Sequence, residues 1–257
     1  MNIFNNYRQA EVLRVTKSSI LYKGKKYYYK PNHNSLEFVV EIIAKKLNLK
    51  TATYISKKIM GLPYYFSEDL NQKGEFITAE GLGLEGNCLP EAFDFFEKKY
   101  PEYLNSLSYD LIKVYLMDII LMNHDRNNEN WGIIVIDSIP RICILDNELS
   151  FNMPITSISS KRKQPYYIRK YLRDDSLFED AYTDINYFLE NYNIIGVAAF
   201  KILLRILTPE FINELFDLVE QEYKVKIEGR EILLEQYMEH YTKLQELLNN
   251  ITLRRKK

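Results

Sequence analysis

The run Asn123-His-Asp-Arg-Asn-Asn-Glu-Asn130-Trp-Gly132, followed by a second apolar run that closes on Asp146, holds the residues best equipped for chemistry. Trp131 to Ile136 and Arg141 to Leu145 read as two strands, with Asp137-Ser-Ile-Pro140 as the turn between them. In an antiparallel hairpin the residue ahead of the first strand lies beside the residue after the second. The spacing therefore predicts that Asn130 and Asp146 are neighbours, with Asp125 overhanging them. Amide and carboxylate oxygens suit a hard cation such as Mg²⁺ and leave coordination positions for phosphate oxygens and water. A further carboxylate, Asp125, is then placed to orient an attacking hydroxyl and take its proton. These are the parts that phosphoryl transfer requires, because that chemistry is mostly positioning and charge neutralisation.

The same spacing occurs a second time in Asp118 and Asn123, but Asp118 falls inside an apolar helical stretch and reads as a polar residue that orients the adjoining loop. His124 reads as a brace for the loop. Arg126 has two readings, a carboxylate pair that holds the loop or a contact to phosphate. Towards the N-terminus, Lys30 ends a strand and precedes a helix carrying Glu37 and Glu41. A strand lysine steadied by a helix glutamate can present a cation to nucleotide phosphates. Glu37 is the favoured partner, with Glu41 one turn on as the alternative, although Asn34-Ser-Leu-Glu37 also has the form of a capping box. Lys25 and Lys26 lie at the mouth of a turn and read as solvated. The loop Thr16-Lys-Ser-Ser19 sits where a phosphate loop would be, without a glycine, so any grip from Ser18 and Ser19 must use hydroxyls and backbone N–H groups.

The elements that must position these groups divide into two kinds. Glu11 to Val15, Ser19 to Tyr22 and Lys26 to Lys30 form a short meander, and Thr53 to Ile59 with Tyr64 to Leu70 form a further hairpin around Gly61-Leu-Pro63. From Pro90 onward helical periodicity dominates, with Tyr109 to Met122 nearly all apolar and hence a buried helix. The fold class expected is α+β: two lobes, a small β-rich one over residues 1–70 and a larger, mainly helical one over 71–257. The 257 residues suffice for two modest cores that meet at a cleft, and a net charge of -1 gives no global field for nucleic acid. Two cysteines, Cys88 and Cys143, supply neither a disulfide framework nor a thiolate metal site. The three histidines lack metal-ligand spacing. No run reaches the length of a membrane span, so a cytoplasmic protein is expected.

The run Asn123-x-Asp125-Arg126 with Asn130-Trp131-Gly132 and Ile144-Leu-Asp146, together with Tyr-Lys30-Pro31 and the Leu-Glu37-Phe helix start, resembles the HipA-like serine/threonine kinases of bacteria, especially the compact C-terminal-domain type. It also resembles the type II phosphatidylinositol 4-kinases in its core motifs. The likeness spans roughly residues 10 to 155. It implies a protein-kinase-like fold using ATP and Mg²⁺, with Asp125 as catalytic base, Asn130 and Asp146 as metal ligands, Lys30 on the phosphates, and backbone groups near Glu68 to Leu70 on adenine. It further implies a protein acceptor with Ser or Thr, a separate antitoxin or regulator as possible partner, and a toxin or delivered effector as possible role. A lipid or small-molecule kinase, or a nucleotide-binding pseudokinase, is the alternative. The polar loop Asn152 to Gln164 follows the metal aspartate, and self-phosphorylation is expected there at Ser157, Ser159 or Ser160, with Arg162, Arg169 or Arg126 as partners for the phosphate.

Overall fold

Tyrosine, isoleucine and valine crowd the first strands, and such side chains favour a pleated, half-buried surface. In the computed structural model, which describes residues 12–15, 19–30, 35–59, 62–84, 89–123, 126–147, 150–151 and 193–254, they form β1 (Val12–Val15), β2 (Ser19–Tyr22) and β3 (Lys25–Tyr29). Two longer strands, β5 (Tyr54–Ile59) and β6 (Leu62–Glu68), complete an antiparallel sheet of order β1-β2-β3-β6-β5. Pro63 lies inside β6 opposite Lys58, so the expected Gly61-Leu-Pro63 turn is shorter and the strand starts earlier. Ile20, Tyr27 and Phe66 form a small core on one face of this sheet.

Helix α1 (Leu36–Lys46) packs beneath the sheet, burying Phe38, Val39, Val40, Ile43 and Ala44. Asn34, the first residue of the expected capping box, lies outside the described residues. Ser35, at the N-cap, makes no side-chain cap bond and donates to the Lys226 carbonyl instead, while the Glu37 carboxylate turns to Lys30.

A second, four-stranded sheet was only half expected. The strands β8 (Trp131–Ile136) and β9 (Ile139–Ile144) are the anticipated hairpin. Their turn is two residues and not four: Asp137 and Ser138 both have positive φ, 51° and 65°, the geometry whose twist matches that of the flanking strands. Ile139 and Pro140 therefore belong to β9. Flanking this hairpin are β4 (Lys50–Thr51), parallel to β9, and β7 (Glu75–Thr78), antiparallel to β8. Both are too short to announce themselves by alternation. β8 and β7 approach so closely that a Cβ on Gly132 would lie 2.1 Å from the Ile77 carbonyl oxygen and 2.7 Å from the Thr78 Cα. Backbone cannot yield as a side chain can, so Gly132→Ala is expected to cost about 1–3 kcal/mol, read as a lowered urea midpoint.

The remaining described chain is helical: α2 (Leu89–Lys99), α3 (Leu104–Ile120), α4 (Asn193–Ile206), α5 (Pro209–Tyr223) and α6 (Arg230–Arg254). As its composition predicts, α3 is buried continuously from Asp110 to Ile120. Thr208 caps α5 by accepting from Phe211 N–H, with Pro209 in the first turn. His240 on α6 bonds the Ile119 carbonyl at 2.8 Å, and ring stacking of Phe38 on Tyr223, centroids 4.0 Å apart, ties α1 to α5. No helix among the described residues is long and apolar enough to cross a membrane.

Candidate active site

The last turn of α3 and the hairpin are joined through one guanidinium. Arg126, fully buried, donates from Nε and Nη2 to the two carboxylate oxygens of Asp118, both at 2.9 Å. Its Nη1 donates to the carbonyls of Asn130 at 2.7 Å and Leu145 at 2.9 Å, and Nη2 also reaches the Asn147 side-chain oxygen at 2.5 Å. Asp118 accepts in addition from Asn123 Nδ2 at 2.8 Å. A buried charge must be paired and hydrogen-bonded to be tolerated, and this pair is both. Of the two readings of Arg126, the structure shows the carboxylate pair. With no exposed surface, the side chain is not offered to phosphate, whether on a nucleotide or on a modified serine. Asp118 holds the loop in place, as its position in the apolar helix suggested.

This arrangement fixes the residues on either side of Asp146. Leu145 N–H donates to the Asn130 carbonyl at 3.0 Å, so the end of the hairpin brings Asn130 and the Leu145–Asp146 segment together. Asp146 has a positive φ of 52°, a region that Asp and Asn enter more readily than bulkier residues. Its N–H donates to the hydroxyl of Tyr54 on β5 at 3.2 Å. Tyr54 is fully buried, and burial pushes its phenol well above the ordinary value, so it stays neutral.

Lys30 follows β3 directly, its N–H donating to the Tyr65 carbonyl at 2.9 Å so that the ladder continues for one more residue. Its ammonium bridges Glu37 Oε1 at 3.1 Å and Asp146 Oδ1 at 2.6 Å. Burial works against the charged form, yet the two carboxylates hold its pKa above the ordinary value. Glu41 is engaged elsewhere, accepting from Lys45 and from Tyr54 N–H at 2.9 Å. Three parts of the sequence, a strand end, a helix start and a hairpin end, thus meet at one ammonium.

Glu68, at the end of β6, is buried and paired with Lys25 at 2.8 Å and Lys73 at 2.6 Å. Lys25 is therefore not simply solvated. Burial pushes the Glu68 carboxyl up, but the two lysines outweigh it and hold the pKa below the ordinary 4.5. A depressed carboxylate stabilises the fold above its unfolded pKa, and that contribution is lost as pH falls through the lower folded value. Glu68→Gln is accordingly expected to lose less stability than the wild type in urea titrations between about pH 6 and pH 3. The N–H groups of Glu68 and Asp69 donate to the carbonyls of Thr53 and Lys26, at 2.8 and 2.9 Å, and are used within the sheet. Leu70 begins a 3-10 turn, Leu70–Gln72, with its side chain buried.

Ser19 lies in β2 opposite Tyr28. Ser18, His124, Asp125, Cys88 and the whole of Asn152 to Gln164, with Thr156, Ser157, Ser159, Ser160 and Arg162, lie outside the described residues, as does Arg169. The sequence reading missed Tyr54 and Asn147. Tyr54 carried no signal beyond its β propensity, whereas Asn147 directly follows Asp146 and could have been found.

The two sheets, the helix that carries Glu37 and the helical remainder make up a protein-kinase-like α+β fold. Among solved structures, the chain is similar to the Helicobacter pylori proinflammatory kinase CtkA, with a TM-score of 0.66 at 16% identity over 93% of this chain and 94% of that one. It is also similar to a chain of the Shewanella oneidensis HipA–HipB toxin–antitoxin complex with operator DNA, with a TM-score of 0.57 at 14% identity over 96% of this chain and 67% of that one. No protein-family model matches the sequence, and no curated protein matches it significantly.

Proposed function

We propose that this chain is an ATP- and Mg²⁺-dependent protein serine/threonine kinase of HipA-like type. The observation that carries the reading is the Lys30 ammonium held between Glu37 and Asp146. It joins a strand lysine, a helix glutamate and a carboxylate after a hairpin, as a site for nucleotide phosphates requires. The donor set suits magnesium. Asn130 and Asp146 offer hard oxygens, and the Asp146 side chain, 38% exposed, already holds a cationic group 2.6 Å from Oδ1. Mg²⁺ held there would supply positive charge to the phosphates. Lys30 supplies positive charge beside them, and Glu37 keeps that lysine extended towards the cleft. Arg126 and Asp118 keep the loop on which Asp125 lies fastened at Asn123 and at Asn130, so that Asp125 can orient an acceptor hydroxyl and take its proton.

The partners proposed are a protein presenting Ser or Thr and a separate antitoxin or regulator protein. A toxin or effector role belongs to the same reading, as does a cytoplasmic setting, in the cell of origin or in a host. Consumption of ATP with a generic protein acceptor, with and without Mg²⁺, tests the reaction. Asp125→Ala is expected to leave ATP affinity within about a few fold while suppressing turnover, because the residue acts on the acceptor and not on the nucleotide. An equal loss of nucleotide binding would show that the role is misassigned. Phosphoproteomic comparison of cells making the intact chain with cells making Asp125→Ala would identify the acceptor, and absence of any Mg²⁺-dependent turnover would overturn the proposal.

A further inference from the structure

The strand that delivers Lys30 carries a second exposed group on the same face. Side chains alternate along a strand, so Lys26, Tyr28 and Lys30 point the same way, each about 6–7 Å from the next. Ser67 on β6 stands opposite Tyr28 on one side and Tyr54 on the other, which sets the two tyrosines in one row on one face of the sheet. Tyr54 meets the Asp146 N–H from that face, so Tyr28 looks onto the same cleft. Tyr54 is buried, whereas Tyr28 is 42% exposed.

The Tyr28 ring is also held. Its hydroxyl donates to Asp69 Oδ2 at 3.1 Å and accepts from Lys26 Nζ at 2.7 Å. That ammonium lies 4.5 Å from the ring centre, so it caps the hydroxyl end of the ring. Asp69 is fixed in turn, its other oxygen accepting from Asn71 N–H at 3.1 Å. An exposed ring pinned at its polar end is pre-organised, and a flat ligand packing on it need not first order it. The N–H groups of Glu68 and Asp69, which the resemblance aimed at adenine, are bonded to the carbonyls of Thr53 and Lys26. With those donors spent, a ring one strand step behind the phosphate lysine offers the base another hold.

We propose that Tyr28 is the platform on which the base of the nucleotide stacks, with Asp69 and Lys26 setting the angle of its ring. The inference rests on the reading of Lys30 and Asp146 as a nucleotide-phosphate site and adds the residue that grips the other end of the ligand. Stacking uses the π face that every base has, so Tyr28 supplies affinity and not a choice among bases. Calorimetric titration of the full chain with Mg²⁺-ATP and with Mg²⁺-tripolyphosphate, which carries phosphates and no base, separates the two levels. Tyr28→Ala should weaken ATP binding about five- to a hundredfold, the usual loss when a ring beneath a stacked base is removed, and leave tripolyphosphate within about twofold. Tyr28→Phe keeps the ring and should retain most of the affinity, whereas Lys30→Met should weaken both ligands. Urea midpoints of the variants distinguish lost binding from lost folding, and Tyr28→Leu, which keeps bulk without a π face, serves if Tyr28→Ala is unstable. Unchanged ATP affinity in folded Tyr28→Ala, or an equal loss of tripolyphosphate there, would overturn the platform and leave the phosphate site standing. Failure of the wild type to bind either ligand would overturn the nucleotide reading, and the platform with it.

Discussion

Asp146→Asn is expected to lower Mg²⁺-ATP-dependent phosphoryl transfer at least about a hundredfold, the usual scale for a lost charge-stabilising group, while the protein stays folded. Asparagine keeps the shape and tolerates the positive φ of 52° at this position, so the substitution changes charge alone. The Asp146 side chain is partly exposed and packs no core, and Lys30 retains Glu37 when the aspartate charge goes. The accompanying change in stability is therefore small, about 1 kcal/mol or less, as for exposed ion pairs. Initial rates and urea midpoints measured on the same preparation separate the two quantities. Turnover within a few fold of wild type would remove Asp146 from the mechanism.

The second large effect is on folding. Asp118→Ala takes from buried Arg126 the carboxylate that pairs with it among the described residues, and removing one member of a buried pair typically costs about 3–5 kcal/mol. That is a large share of the total stability of a typical protein, about 5–15 kcal/mol. A sharply lower urea midpoint and poor recovery of soluble protein are expected. Asp118→Asn, which keeps one acceptor for Arg126 at similar volume, should recover part of the loss. A midpoint for Asp118→Ala close to that of wild type would mean that the carbonyls of Asn130 and Leu145 and the Asn147 side chain hold the guanidinium without help.

Much of this was legible in the sequence because the informative contacts are local or follow from pairing rules. The β8–β9 hairpin brings Asn130 and Leu145 together by register alone, and the nearly unbroken apolar run in the second half of α3 announces its burial. Lys30 with Glu37 is a contact over seven residues. What was not legible depends on long reach. Nothing local in Lys50-Thr51 says that it joins β9, since two residues carry no period. The four-residue turn was overestimated because Pro140 looks like turn chemistry, whereas a strand position that need not donate to the ladder also accepts it. Arg126 had two chemically sound partners, and only the packing of Asp118 against it decides between them.

The pairing of β4 with β9 also bears on the order in which the chain can assemble itself. Every strand of the first sheet lies within residues 12–68, so that sheet can close as soon as its own segment is made. The second cannot. Thr51 must wait for Ile144, and Lys30 for Asp146, which lies 116 residues further on. At roughly 5–20 residues per second of synthesis that wait lasts about 6–23 s, during which a short edge stands open beside a finished sheet. The contacts that bring Lys30 to Asp146 thus become available well after the first sheet, and the nascent protein passes through a stage in which that sheet has formed while the site beside it has not.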